Sequence, residues 1–307
     1  MRILFMGTPE FAVPSLRILL DHSYEVTGVV TAPDKPRGRG QQVSSTPIKE
    51  FALQHYLPIL QPDNLKDLTF VSDIRKLAPD LIVIVAFRIL PREIFTIPKL
   101  GSFNLHASLL PKYRGAAPIN WAIMNGEQES GVTTFFLRDT VDTGSIILQA
   151  RVKIGADETA GELHDMLSEV GAEIVLQTVR LIELGKAQPH VQNDSLACPA
   201  PKIFKNDCRI DWYKSSQHAH DFIRGLSPHP ASWTMHNGKT IKIYRTKIAE
   251  APSHEPGTVL ERTNNTLLVG TGTGAVFIIE IQQEGKRRLG IEEFLRGYSI
   301  EKGELFK

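Results

Sequence analysis

Cysteine is nearly missing from this chain: 307 residues contain only Cys198 and Cys208. They form no Cys-x-x-Cys pair and no Cys/His cluster at zinc spacing, which excludes a disulfide framework and a structural zinc and leaves two inert thiols. Long hydrophobic runs are also missing. No stretch approaches the roughly 18 apolar residues of a spanning helix. The opening Met1-Arg2-Ile3-Leu4-Phe5-Met6 is too short for a signal peptide and lacks a cleavage pattern, so a cytoplasmic protein is expected. The Gly-x-Gly-x-x-Gly fingerprint is absent as well: Gly7 stands alone after the first apolar run, with no acidic ribose partner, which excludes a nicotinamide enzyme. Nor is there a surplus of one charge, the net being +1. Divided, residues 1–200 hold 19 Lys and Arg against 22 Asp and Glu, and residues 201–307 hold 16 against 12. So small an excess reads as a solvated surface as readily as a nucleic-acid face.

What is present is an ordinary globular composition, 42% hydrophobic and 22% charged, long enough for two domains. Arg2 to Met6 reads as a strand ending at Gly7-Thr8-Pro9. Phe11, Leu16, Ile18 and Leu19 then fit one face of a helix opened by Pro9. Tyr24 to Thr31 reads as a second strand. Leu81 to Ala86, continuously apolar, reads as a strand buried on both faces of a parallel sheet. Alternation of strands with helices predicts an open α/β first domain, with its ligand site beyond the carboxyl ends of the strands.

Thr159 to Lys186 carries Leu163, Met166, Leu167, Val170, Ile174 and Leu181 at helical spacing, predicting a long helix whose Met and Leu stripe is core. Around Ala187 to Asn206, Pro189, Pro199 and Pro201 mark a linker, which gives domains at 1–188 and 208–307 joined by 189–207. Beyond it, Thr240 to Tyr244, Gly257 to Leu260, Thr266 to Val269 and Ala275 to Ile281 alternate between turn residues in a small β-barrel pattern. A helix flanked by Trp212 and Phe222 docks on it.

The chemistry-bearing stretch is Phe103 to Gly115, F-N-L-H-A-S-L-L-P-K-Y-R-G. Period-two geometry sets Asn104 beside His106 on one face of a strand while Phe103 and Leu105 point into a core. An amide donor beside an imidazole can bind a developing oxyanion, and Asp142, in Arg138-Asp139-Thr140-Val141-Asp142-Thr143-Gly144, could hold the imidazole ring. The same residues read equally well as satisfied polar groups at a strand end and an ordinary turn.

In order, Asn104, His106, Ser108-Leu109-Leu110-Pro111, Arg114-Gly115-Ala116-Ala117-Pro118-Ile119, Gly131-Val132-Thr133 and Asp142-Thr143-Gly144 resemble the signature of the folate-dependent formyltransferases. The resemblance spans essentially the whole chain. It implies an open Rossmann-like parallel-sheet domain followed by a small OB-like β-barrel domain that binds tRNA. It implies 10-formyltetrahydrofolate as formyl donor, with no metal. It further implies that Asn104 and His106 bind the oxyanion, that Asp142 orients His106 or accepts a proton, and that Ser108, Leu109, Leu110 and Pro111 border the pterin. The chain departs from the family pattern at Ala86-Phe87-Arg88 and at Leu137 to Gly144, where Arg88 and Thr140 replace glycines; strain is expected there if those positions need positive φ.

The acceptor is less specific. The basic, Gly-rich insertion from Ala32 to Pro47, with Arg39 its most telling residue and Lys35 and Arg37 its helpers, resembles the branch acting on initiator methionyl-tRNA. A monomer is expected. An amino-sugar nucleotide acceptor, or an RNA-binding relative without turnover, is the alternative.

Overall fold

A computed structural model of the chain describes residues 1–37, 42–252 and 254–307. By its contacts the chain divides into two compact units. The first comprises Met1–Gly115, Gly131–Val152 and His164–Pro199, and the second Ala116–Ser130, Lys153–Leu163 and Ala200–Lys307. Among the described residues no helix is long and apolar enough to cross a membrane.

The first unit is built on a seven-stranded sheet. Its strands in chain order are β1 (Arg2–Gly7), β2 (Glu25–Val30), β3 (Ile59–Leu60), β4 (Leu81–Val85), β5 (Ser102–His106), β6 (Glu129–Phe136) and β7 (Ile146–Lys153). Their spatial order is β7-β6-β5-β4-β1-β2-β3. The five strands from β5 to β3 pair in parallel, and β6 runs antiparallel to β5. The apolar run of β4 is buried at every position, as a central parallel strand requires. Leu4, Met6, Val30, Ile74, Ile82, Ile84 and Ile94 form one core of this unit.

The first crossover differs in detail from the sequence expectation. Pro9 precedes a 3-10 turn, Glu10–Ala12, and it is Pro14 that occupies the first turn of the α-helix Val13–Asp21, where the missing N–H costs nothing. The long helix is Ala160–Glu183. Leu163, Leu167 and Ile174 are buried, but Met166 is 41% exposed, contrary to its expected place in the core, because it lies at the border of the apolar arc. Gly171 of this helix rests against Leu105 of β5: a Cβ there would lie 2.7 Å from the Leu105 Cδ2 methyl. The helix backbone thus backs the strand that carries Asn104 and His106.

The basic insertion contains an antiparallel pair, Lys35–Arg37 with Gln42–Ser44. Arg39 lies outside the described residues.

The second unit is an antiparallel sheet of β8 (Ser232–His236), β9 (Lys239–Ala249), β10 (Val259–Arg262), β11 (Leu267–Gly270) and β12 (Ala275–Gln283), ordered β8-β9-β12-β11-β10. Its two edges are joined by the chain's last residues. Met235 of β8 exchanges two backbone hydrogen bonds with Lys307, the Val259 N–H donates to the Glu304 carbonyl, and the Phe306 N–H donates to the Gly257 carbonyl. The sheet therefore closes into a small OB-like barrel. Ile241, Ile243, Val259, Leu267, Val269, Val276 and Ile281 fill it, with Trp212 and Ile223 packed in the same core.

Strand β8 has no counterpart in the sequence reading. Its inward residues are Ser232, Thr234 and His236, so the alternation is polar inside, and each is satisfied. Ser232 Oγ donates to the Ile243 carbonyl, Thr234 Oγ1 to the Lys307 carbonyl, and His236 bonds Tyr298 and Glu304. Cys208 is buried in this unit; burial, followed by the neighbouring Asp207 charge, pushes its thiol pKa up, which suits an inert group.

Candidate active site

Strand β5 presents its two polar residues as the period of two requires. Phe103 and Leu105 are 0% and 3% exposed in the core, and Asn104 and His106 face the other way. Asn104 pairs in register with Ile84 and Phe135, and His106 with Thr133, so both sit on a rigid sheet interior. His106 is 7% exposed. Its Nε2 lies 2.8 Å from the Tyr113 carbonyl oxygen. A carbonyl only accepts, so Nε2 carries the hydrogen, and in the neutral ring the lone pair belongs to Nδ1. Tyr113 holds its carbonyl there from the left-handed region, φ 60°.

Nδ1 faces Asp142 Oδ2 at 3.9 Å, with the carboxylate side chain 10% exposed. The same Oδ2 accepts a hydrogen bond from the Gly115 N–H at 3.0 Å. A lone pair opposed to a carboxylate at that separation leaves room for a shared proton donor, which an amine supplies. Asn104 adds a second sign of an incomplete site: its Oδ1 is buried without a hydrogen-bond partner. Such orphans are rare in native interiors and accumulate where a ligand completes them.

The path of Asp142 to this position is not the one expected. The ligand site is expected beyond the carboxyl ends of the strands, but β6 runs antiparallel, so the chain leaving it starts at the other end of β5: the Leu137 N–H donates to the Ser102 carbonyl. The loop from Leu137 to Ser145 then doubles back to bring Asp142, at φ 56°, to His106. Gln192, from the segment read as linker, holds this loop. Its Nε2 donates to the carbonyls of Asp142 and Gly144 at 2.8 and 2.9 Å. Arg114 in turn donates to Gln192 Oε1. Arg114 lies inside the recognised motif, whereas nothing in the pattern of residues 189–207 marked Gln192.

The polar groups of the turn from Ser108 to Pro111 are taken up by neighbouring segments. Ser108 Oγ donates to the Lys112 carbonyl, Thr133 Oγ1 donates to the Ser108 carbonyl, and Gln149 Nε2 donates to the Leu110 carbonyl. Ser108 and Leu110 are buried, leaving Leu109 and Pro111 as its partly exposed apolar face.

Arg88 and Thr140 need no glycine: among the described residues with positive φ it is Ala86 (49°) and Asp142 that appear, not these two. Arg88 donates to the carbonyls of Pro62 and Asp63 and lies over the Phe87 ring. Burial lowers its pKa from the ordinary value, the Asp63 charge opposing the shift. Lys35 is exposed on the first strand of the antiparallel pair in the basic insertion. Among the described residues no cluster of three or more His, Cys, Asp or Glu could hold a metal.

The model for the formyl transferase family matches residues 1–179, and that for the formyl transferase C-terminal domain matches residues 202–299. The chain belongs to the formyl transferase family. Its curated relatives include the methionyl-tRNA formyltransferase of Alkaliphilus oremlandii, 46% identical over 307 residues covering 99% of each chain. That of Geobacter sulfurreducens is 46% identical over 304 residues, 99% of this chain and 96% of the relative. Among solved structures, HypX from Aquifex aeolicus in complex with tetrahydrofolic acid superposes with a TM-score of 0.66 at 20% identity, covering all of this chain and 50% of that one. An N-formyltransferase from Helicobacter canadensis, in complex with folinic acid and dTDP-3-aminofucose, gives 0.65 at 21% identity, covering 92% and 98%. These two share the fold.

Proposed function

We propose that this chain transfers a formyl group from 10-formyltetrahydrofolate to the α-amino group of initiator methionyl-tRNA, as a cytoplasmic monomer. The observation that carries the chemistry is the opposition of His106 Nδ1 and Asp142 Oδ2 at 3.9 Å beside Asn104, whose amide oxygen is buried without a hydrogen-bond partner. Identity of 46% over the full length with methionyl-tRNA formyltransferases carries the acceptor.

The donor, when bound, supplies the formyl carbon that the methionyl amine attacks. The donor's fit rests on the partly exposed Leu109 and Pro111, an apolar wall beside which the Ser108 hydroxyl and the Leu110 carbonyl are already hydrogen-bonded and make no competing demand. Asn104 directs an amide N–H at the oxygen that gains negative charge. His106 takes the amine proton at Nδ1, since Nε2–H is committed to the Tyr113 carbonyl, and returns it to the departing nitrogen. Asp142 stabilises the imidazolium in between. Lys35, Arg37 and Arg39 of the basic insertion, together with the barrel domain at 208–307, engage the tRNA through its phosphates and ribose hydroxyls.

Replacing Asn104 or His106 by alanine is expected to lower turnover by about two to three orders of magnitude, or about 3–4 kcal/mol of transition-state stabilisation. tRNA binding, followed by filter retention, is expected to persist. Full activity of either variant would remove the assignment.

A further inference from the structure

We propose that Gln192, backed by Arg114, is a positioning residue that fixes the Asp142 carboxylate against His106. The proposal rests on reading Asp142 as the partner of His106. The Gln192 side chain uses its whole hydrogen-bonding capacity on this one task while 7% exposed. Its two N–H donors go to the carbonyls of Asp142 (2.8 Å) and Gly144 (2.9 Å), and its oxygen accepts from Arg114 Nε (3.1 Å) and Nη2 (2.7 Å). Two carbonyl acceptors on one side and a guanidinium on the other permit a single orientation of the amide.

Both ends of this bridge bear on Asp142. On one side the amide grips the backbone carbonyls of Asp142 and Gly144, in a loop whose non-glycine residue at φ 56° has no intrinsic reason to stay there. On the other, Arg114 precedes Gly115, whose N–H binds the Asp142 carboxylate at 3.0 Å. The bridge is itself anchored. Two residues before Gln192, His190 exchanges backbone hydrogen bonds of 2.8 and 2.9 Å with Ile146 at the start of β7, and Arg114 also reaches Asp194 Oδ1 at 2.6 Å. At 3.9 Å the Asp142–His106 separation lies beyond direct hydrogen-bond range, so the loop backbone rather than that contact must hold the geometry.

The variant Gln192→Glu tests this with little change in shape. It keeps an oxygen toward Arg114 and sets a second oxygen, in place of the donor, against two carbonyls. A misplacement of about 1 Å in a catalytic group can cost roughly 100-fold. We expect kcat to fall by about 10- to 100-fold with KM for both substrates little changed, while thermal melting reports the fold. In an Asp142→Asn background the same substitution should add almost nothing, because the residue acts through Asp142. Arg114→Met, which leaves Gln192 neutral, should reproduce the pattern more weakly and covers the case in which Gln192→Glu does not fold. Wild-type kcat in both variants, or an equal fractional loss with and without Asp142, overturns the positioning role. Full activity of Asp142→Asn alone would instead overturn the reading of Asp142 on which it rests.

Discussion

Asp142→Asn isolates charge from shape. The asparagine oxygen keeps an acceptor for the Gly115 N–H, and the amide stands where the second carboxylate oxygen stood, so the loop geometry and the Gln192 contacts are retained. What is lost is the attraction between a carboxylate and the imidazolium that forms when His106 takes the amine proton. At 3.9 Å, with an effective dielectric constant of about 20, that attraction is worth about 4 kcal/mol. Both groups are nine-tenths buried, so salt screens the pair little. Four kilocalories correspond to roughly a thousandfold in rate. The assay is single-turnover transfer of labelled formyl at saturating donor and charged tRNA, which separates chemistry from product release. Donor and tRNA affinities are expected to stay near wild type, and the loss to vary little between low and moderate salt. A variant within about tenfold of wild type would refute the reasoning, since the carboxylate would then not be stabilising charge at His106.

Three further outcomes are expected. Gly144→Ala places a Cβ 1.6 Å from the Phe136 carbonyl oxygen, a backbone atom that cannot swing away, so urea denaturation should show a loss of about 3 kcal/mol together with reduced turnover; an unchanged midpoint would contradict the close approach. In the second unit, burial pushes the Glu162 pKa up, but the Thr159 N–H and hydroxyl and the Arg245 guanidinium outweigh it and bring it down to about 2. A depressed carboxylate pKa stabilises the fold above the unfolded value of 4.5 and ceases to do so as pH falls through about 2. The difference in melting temperature between wild type and Glu162→Gln should therefore shrink across that window, and a difference that grows with acidity would reverse the sign. Arg39→Ala should raise KM for methionyl-tRNA and flatten its salt dependence without touching donor binding, and unchanged tRNA kinetics would take the basic insertion out of the account.

The parts of this site that were legible in the sequence are those set by local period. Alternation of Phe103, Asn104, Leu105 and His106 gave the correct faces, and the apolar run Leu81 to Ala86 gave a central parallel strand, which ends one residue earlier at Val85, because strand geometry makes both readable without tertiary knowledge. Illegible were the contacts made by distant segments. Gln192 is one glutamine in a Pro-rich stretch, and its role exists only because the chain returns past Ile146 and aims the amide at the loop bearing Asp142. The direction of β6 could not be read either, and with it went the expected route of Asp142. Strand β8 was hidden for a different reason: Ser232, Thr234 and His236 face inward and are satisfied by hydrogen bonds to the Ile243 and Lys307 carbonyls, Tyr298 and Glu304, so an apolar pattern never forms. Met166 shows the converse, an apolar residue at helical spacing that the core does not reach.

The central claim is tested most directly by following labelled formyl from 10-formyltetrahydrofolate onto charged tRNA, with initiator and elongator methionyl-tRNA, an amino-sugar nucleotide, and the His106→Ala variant run side by side. The account predicts transfer to the initiator, little to the elongator or the sugar, and loss of about two to three orders of magnitude in the variant. Transfer to the sugar nucleotide in preference to tRNA, or undiminished transfer by the variant, would contradict it.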